Sequence, residues 1–126
     1  MTTPLWCLFI ACVIPYVLAP VAAYFKNKQF GSLDNRNPRV QTAALEGAGA
    51  RAAAAQSNAW EALAVFGAAV FINHVTGGDP DTSATLSMVW VAGRIVHPFA
   101  YIADIALLRS AAFLVAFASA IALFFV

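Results

Sequence analysis

Charged residues are scarce in this sequence. Only 10% of its 126 residues are Asp, Glu, Lys or Arg, whereas 62% are hydrophobic. Soluble globular proteins have about 25% charged residues, so the composition excludes an ordinary soluble domain and predicts an integral membrane protein. The seven Lys and Arg residues form no dense basic stripe, and the net charge is only +1. Nucleic acid is therefore excluded as a partner.

Cysteine is also rare. The two cysteines, Cys7 and Cys12, are five positions apart in an apolar segment. That spacing matches neither a redox pair nor a zinc site, and it places the side chains about 140° apart on a helix. The sequence predicts no metal site.

Long apolar runs dominate the chain instead. The first, residues 4–25, has no acidic or basic side chain, and as a helix it would extend about 33 Å, enough to cross a bilayer. A second apolar helix begins as early as Thr42 and is too long to lie wholly in lipid. We predict one domain, 1–126, folded as an all-α antiparallel bundle of four transmembrane helices, with spans at 4–25, 52–75, 82–104 and 108–126.

The connecting loops differ in charge. A polar loop, 26–41, contains four basic residues, whereas the turn around Asp79 contains none. Because basic loops stay on the cytoplasmic side, loop 26–41 should be cytoplasmic and both termini should lie on the opposite side. Asp79 followed by Pro80 predicts a helix N-cap with proline at the first helical position.

One polar face interrupts the third apolar run. Arg94, His97, Tyr101 and Asp104 are spaced by three, four and three residues, which aligns them along one side of a helix. A guanidinium near the bilayer centre costs roughly 2.5 to 17 kcal/mol, so this face must point at protein, water or a ligand.

A second polar set lies on the preceding helix. Arg51, Asn58 and Glu61 fall within about 80° of one another, and Arg109 follows the third run. Arginines bind carboxylates in a bidentate manner and a glutamate accepts an ammonium group, so this combination predicts a small zwitterionic ligand with more than one carboxylate.

Simpler interpretations of single residues remain open. Glu61 and Arg94 could form a structural ion pair that neutralises two buried charges. Tyr101 could be an interfacial anchor, and His97 could satisfy backbone groups freed by the proline that follows it. Asp104 could be the polar end of a helix.

Three stretches resemble a known family. They are the loop from Asp34 to Arg39, the stretch from Arg51 to Glu61 with its Asn-x-x-Glu pair, and the Arg-x-x-His-x-x-x-Tyr run from Arg94 followed by Arg109. Over nearly the whole chain the sequence resembles the membrane-associated proteins in eicosanoid and glutathione metabolism, the MAPEG family, and its bacterial members in particular.

The resemblance implies a homotrimer with glutathione, as cosubstrate, bound between subunits and reached from the cytoplasmic side. It also implies a bacterial inner-membrane location with periplasmic termini. Arg109 would be the catalytic residue that stabilises the thiolate. The glutathione-binding residues would be Arg51 and Arg94 for the carboxylates, Asn58 and Glu61 for the backbone and ammonium group, and His97 and Tyr101 closing the pocket.

Two departures from the family pattern narrow the expected activity. Ala54 stands where the eicosanoid synthases resemble one another in having an arginine. The gap from Tyr101 to Arg109 also differs by a residue or two from the gap in the mammalian synthases. We therefore expect no eicosanoid synthesis.

The expected function is a glutathione transferase that conjugates the thiolate to hydrophobic small molecules or lipids, with reduction of lipid hydroperoxides as a second activity. The alternative is a non-catalytic membrane scaffold or lipid-binding protein of the same fold. An ion or proton pathway is a third, weaker option, because Glu61 and His97 are too few for a relay. The expected partners are glutathione, the hydrophobic substrate, membrane lipids and two further copies of the chain.

Overall fold

The fold is entirely helical. A computed structural model describes all 126 residues and contains no strands, which confirms the predicted all-α class. The elements in chain order are α1 (Thr3–Phe30), α2 (Pro38–Ala43), α3 (Gly47–Thr76), α4 (Pro80–Ile102), α5 (Ala106–Ala122) and a final 3₁₀ turn (Leu123–Phe125).

Three of the long helices could cross a membrane. By length and composition, α1, α3 and the continuous segment Ala106–Phe125 qualify as candidate spans. Helix α4 has 23 residues, but it is not among the candidate spans because Asp81, Arg94, His97 and two serines lie within it. The structure thus shows four long helices, of which three are apolar enough to span a bilayer on composition alone.

The first loop is shorter than the predicted 26–41. Helix α1 continues to Phe30 and ends only at Gly31, whose φ of 77° is left-handed. Helix α2 then occupies Pro38–Ala43. The prediction failed because Lys and Gln are good helix formers, so the polar composition of residues 26–29 did not end α1. Helix α1 ends at Gly31 instead, because glycine tolerates the positive φ found there.

The second long helix also begins later than the predicted Thr42. The chain leaves the helical conformation after Ala43, and α3 starts at Gly47, whose φ is 52°. This positive φ marks the break between α2 and α3, and glycine adopts it without steric cost. Gly47 and Gly49 were the local signal for this break, and the alanine-rich sequence around them masked it.

The exposed loop is ordered by a carboxylate. Asp34 Oδ1 accepts hydrogen bonds from the backbone N–H groups of Asn37 and Arg36 at 2.9 and 3.0 Å. These bonds favour the charged form and hold the pKa of Asp34 below its usual value.

The start of α4 agrees with its sequence signal. Asp79 is the N-cap, Pro80 occupies the first turn, and Asp79 Oδ2 accepts from Thr82 N at 2.8 Å. The hydrogen bond lowers the pKa of Asp79. The predicted N-cap is therefore confirmed.

The core lies between α1, α3, α4 and α5. Its centre is a parallel stack of the Phe66 and Trp90 rings, with centroids 3.8 Å apart and planes 7° apart. Small residues surround the stack and let the helices approach closely. The members of this core cluster are Cys7, Ala11, Phe66, Ala69, Val70, Trp90, Val91, Ala116, Ala120 and Leu123.

Helix α4 ends in a tight turn. Ile105 N donates to Ala100 O at 2.9 Å and Asp104 N to Tyr101 O at 3.2 Å, the two bonds of a Schellman motif. Asp104 takes the left-handed position, with φ of 62°. The interpretation of Asp104 as a helix end is confirmed.

Many large apolar side chains are exposed. Only 29 of 126 residues are buried, and large side chains such as Phe71, Phe99 and Leu107 are at least 65% exposed. Large exposed apolar side chains in such number mark a lipid-facing or subunit-facing surface.

Candidate functional site

The site is organised by the buried face of α4. Residues 83, 87, 90, 94, 97 and 101 follow one another at alternating intervals of four and three, and the first five of them are buried while Tyr101 is half-buried. This spacing keeps them on one stripe of the helix that faces the other helices.

Arg94 is the centre of the site. Its side chain is only 2% exposed, and its Nη2 donates to Asn58 Oδ1 on α3 at 2.9 Å. Asn58 Nδ2 in turn donates to Glu61 Oε2 at 3.5 Å. The amide of Asn58 therefore stands between the guanidinium and the carboxylate.

The structure does not show the direct Arg94–Glu61 ion pair that the sequence left open. The one ion pair within 4.0 Å joins Arg51 and Asp104. Glu61 is exposed, so its carboxylate stays accessible to a ligand cation.

A cavity of about 180 Å³ opens beside this polar group. Asn58, Glu61 and Arg94 form its polar part, and α5 supplies much of its apolar wall. The apolar lining consists of Ala62, Val65, Trp90, Phe113, Ala116, Phe117 and Ala120.

A second group lies towards the end of α4. The His97 ring is buried and packs edge-on against Tyr101, with centroids 5.6 Å apart. Its Nδ1 has no hydrogen-bond partner, so it does not satisfy the backbone around Pro98 through that nitrogen. The guanidinium of Arg109 lies over the Tyr101 ring, 4.8 Å from its centroid, a cation–π contact.

Arg51 does not line this cavity. Its Nε donates to Ile102 O at 3.2 Å, and its Nη1 lies 3.9 Å from Asp104 Oδ2. The structure thus brings Asn58, Glu61 and Arg94 together at the cavity, and places Arg51 at the α4–α5 turn.

Sequence reasoning missed the apolar half of the site. Trp90 lies four residues before Arg94, so extending the polar face by one turn would have found it. Phe113 and Phe117 on α5, whose rings are stacked 5.9 Å apart, gave no comparable signal in a uniformly apolar helix.

A larger cavity, about 480 Å³, lies at the opposite end of the bundle. His74, Asp81 and Asn73 are among its polar lining residues, and none of the predicted site residues is. We place the candidate site at the smaller cavity, because the buried guanidinium lies there. No group of three or more His, Cys, Asp or Glu side chains is arranged to hold a metal ion.

Comparison with known proteins decides the family. The sequence model of the MAPEG family matches residues 3–126. The chain belongs to the MAPEG family. No curated protein and no solved structure gives a significant match.

MAPEG membership agrees with the three candidate spans. The family is a membrane family that includes glutathione transferases and related proteins, and its match covers essentially the whole chain. This MAPEG chain is an integral membrane protein, and the position of Arg94 and Asn58 places its candidate site between α3 and α4.

Proposed function

We propose that this MAPEG chain is a membrane glutathione transferase that conjugates glutathione thiolate to hydrophobic electrophiles. The observation that supports the proposal best is the buried Arg94, hydrogen-bonded to Asn58 and bordering an apolar cavity. Family membership admits this activity without establishing it.

The polar residues match the charges of glutathione. The guanidinium of Arg94 would bind a carboxylate, and Glu61 would accept the ammonium group. Asn58 can both donate to and accept from the peptide groups of the ligand. Because the Arg94 guanidinium makes one hydrogen bond to the Asn58 carboxamide, its other N–H groups can donate to a bound anion.

The thiol would be activated by Arg109. Arg109 is half-buried and its guanidinium rests on Tyr101, which restricts the side chain without neutralising its charge. A positive charge beside sulfur stabilises thiolate over thiol and lowers the thiol pKa. Tyr101 and His97 would shape the pocket around the sulfur.

The second substrate would occupy the apolar part of the cavity. Trp90, Phe113 and Phe117 offer aromatic surface next to the polar group. A hydrophobic electrophile or a lipid hydroperoxide dissolved in the bilayer could reach this surface without entering water. Reduction of such hydroperoxides is the second activity that we propose.

The proposal includes a homotrimer with sites between subunits. The cavity within one chain, about 180 Å³, is smaller than the roughly 300 to 1,000 Å³ of typical ligand pockets. Glu61 and Phe113 are exposed, so a neighbouring subunit would complete the pocket and cover them.

We also propose that α4 is the fourth span. It packs against α1, α3 and α5, three segments of membrane-spanning character, so its polar face is shielded from lipid. With loop 31–37 in the cytoplasm, both termini would be periplasmic in a bacterial inner membrane.

The test is a glutathione titration of the detergent-purified protein, followed by calorimetry and by ultraviolet thiolate absorbance. We expect saturable binding, a thiolate signal at neutral pH and a trimeric mass by native mass spectrometry. In Arg109→Ala the bound thiol pKa should rise towards about 8.5, the value of a free thiol. Binding at low pH should change little.

The outcomes separate the candidate functions. Binding without a thiolate signal would support a non-catalytic lipid-binding or scaffold protein instead of an enzyme. A trimer that binds no glutathione would refute the proposed transferase, and a monomer that binds it would refute the subunit-interface site.

A further inference from the structure

One side chain from α3 holds the end of α4. Arg51 lies near the start of α3, and its Nε donates to the carbonyl oxygen of Ile102, the last residue of α4, at 3.2 Å. The last carbonyls of a helix have no partner within it. The same guanidinium reaches Asp104 at 3.9 Å. Arg51 therefore contacts both the final carbonyl of α4 and the turn that follows.

That turn has a conformation that needs support. Asp104 has φ of 62°, which is unfavourable for a residue with a side chain. Such conformations persist when the surrounding structure holds them. Two backbone bonds of the turn and the Arg51 guanidinium provide this support.

The turn also joins the residues proposed to act on sulfur. Tyr101 directly precedes Ile102, and Arg109 lies in the first turn of α5, where its N–H donates to Ile105 O. The Arg109 guanidinium lies over the Tyr101 ring. A shift of the α4–α5 turn would move this pair relative to Arg94.

We infer that Arg51 is a positioning residue that holds the α4–α5 turn and thereby places Tyr101 and Arg109 for the proposed thiol activation. This inference rests on the proposed function. It replaces the role of glutathione carboxylate ligand that the family resemblance implies for Arg51. The geometry agrees, since seven residues, or about 10 Å along α3, separate Arg51 from Asn58.

The kinetic test compares Arg51→Ala with a matched control, Gln56→Ala. Gln56 makes an equivalent bond from α3 to a carbonyl, donating its Nε2 to Pro15 O at 3.1 Å, but on the α1 side. In Arg51→Ala we expect kcat to fall on the order of ten- to hundredfold through misplacement of Arg109. The bound thiol pKa should rise and the low-pH Kd for glutathione should be unchanged.

Conservative substitution adds a second comparison. Arg51→Lys retains a cationic donor for Ile102 O and should recover part of kcat, whereas Gln56→Ala should keep the wild-type kcat and thiol pKa. A large rise in Kd for Arg51→Ala with an unchanged thiol pKa would overturn the inference and restore the ligand role.

Hydrogen exchange tests the structural step without glutathione. The amides of Asp104 and Ile105 are bonded within the turn, so Arg51→Ala should accelerate their exchange while Gln56→Ala should not. Unchanged exchange in Arg51→Ala would refute the positioning role. If the wild type binds no glutathione, the proposed function fails, and this measurement alone still decides whether Arg51 holds the turn.

Discussion

Arg94 is the residue on which the site depends. It is 2% exposed, and its side chain donates a hydrogen bond to the neutral amide of Asn58. A buried arginine that served only stability would be expected to have a carboxylate within ion-pair distance. The accessible Glu61 is instead reached through Asn58. This arrangement suits a site in which the ligand supplies the anion that pairs with Arg94.

Arg94→Ala should weaken glutathione binding. Loss of a charged hydrogen-bonding contact costs about 1.5 to 3 kcal/mol, or about ten- to 150-fold in Kd measured by calorimetry. Arg94→Lys keeps the positive charge but lacks the planar guanidinium, so its Kd should lie between those of the wild type and Arg94→Ala. Arg36→Ala, in the exposed loop, is the control and should bind as the wild type does. Equal Kd values for Arg94→Ala and wild type would exclude a ligand role for Arg94.

At the scale of elements, the contact between α4 and α5 forms one wall of the site. Gly93 is buried there, and a Cβ added to it would lie 3.0 Å from Ala112 O and 3.1 Å from the Ala116 Cβ. Glycine thus permits the close approach that brings Phe113 and Phe117 beside Arg94. Gly67 on α3 differs, because an added Cβ would meet only Leu8 Cδ1, at 3.7 Å.

The two glycines make a matched pair of variants. Replacing either by alanine adds about 1 kcal/mol of helix propensity, so Gly67→Ala should raise the thermal midpoint of the detergent-purified protein. Gly93→Ala should lower it relative to Gly67→Ala, because overpacking against the α5 backbone costs about 1 to 3 kcal/mol. Thermal scans with a tryptophan fluorescence readout measure both. Equal midpoints would show that α5 does not approach α4 as closely as the structure indicates.

At the scale of the molecule, the bundle has two distinct ends. The basic loop and the α4–α5 turn share one end, since Arg51 at the start of α3 contacts Ile102. The other end contains the α3–α4 turn and the end of α5, where Asn73 Nδ2 donates to Leu123 O and Val126 O. The proposed thiol-activating group therefore lies at the basic end, which the proposed topology puts on the cytoplasmic side.

Cysteine labelling tests this orientation. In a background without Cys7 and Cys12, Ser32→Cys should resist an impermeant thiol reagent in intact cells, whereas Asp81→Cys should be labelled. Both positions are exposed. Gly78 is unsuitable, because an added Cβ would collide with the Asn73 side chain. Labelling of Ser32→Cys in intact cells would reverse the topology and move the site to the other side of the membrane.

The sequence by itself determined the class, the membrane setting and which polar residues were candidates for the site. Apolar runs and the three-four spacing of Arg94, His97 and Tyr101 are local properties, readable because helix geometry converts spacing into a common face. The Asp79 N-cap was readable for the same reason, since its bond spans only three residues.

Only the tertiary structure decided which polar residues meet. Asn58 and Arg94 are 36 positions apart, and Arg51 and Ile102 are 51 apart. Their pairing depends on how α3 and α4 are rotated and shifted against each other. Packing around the Phe66–Trp90 stack, which joins α3 to α4, sets that rotation. Local spacing contains no information on such contacts, so Arg51 could be grouped with Asn58 in the sequence although the fold places it at the α4–α5 turn.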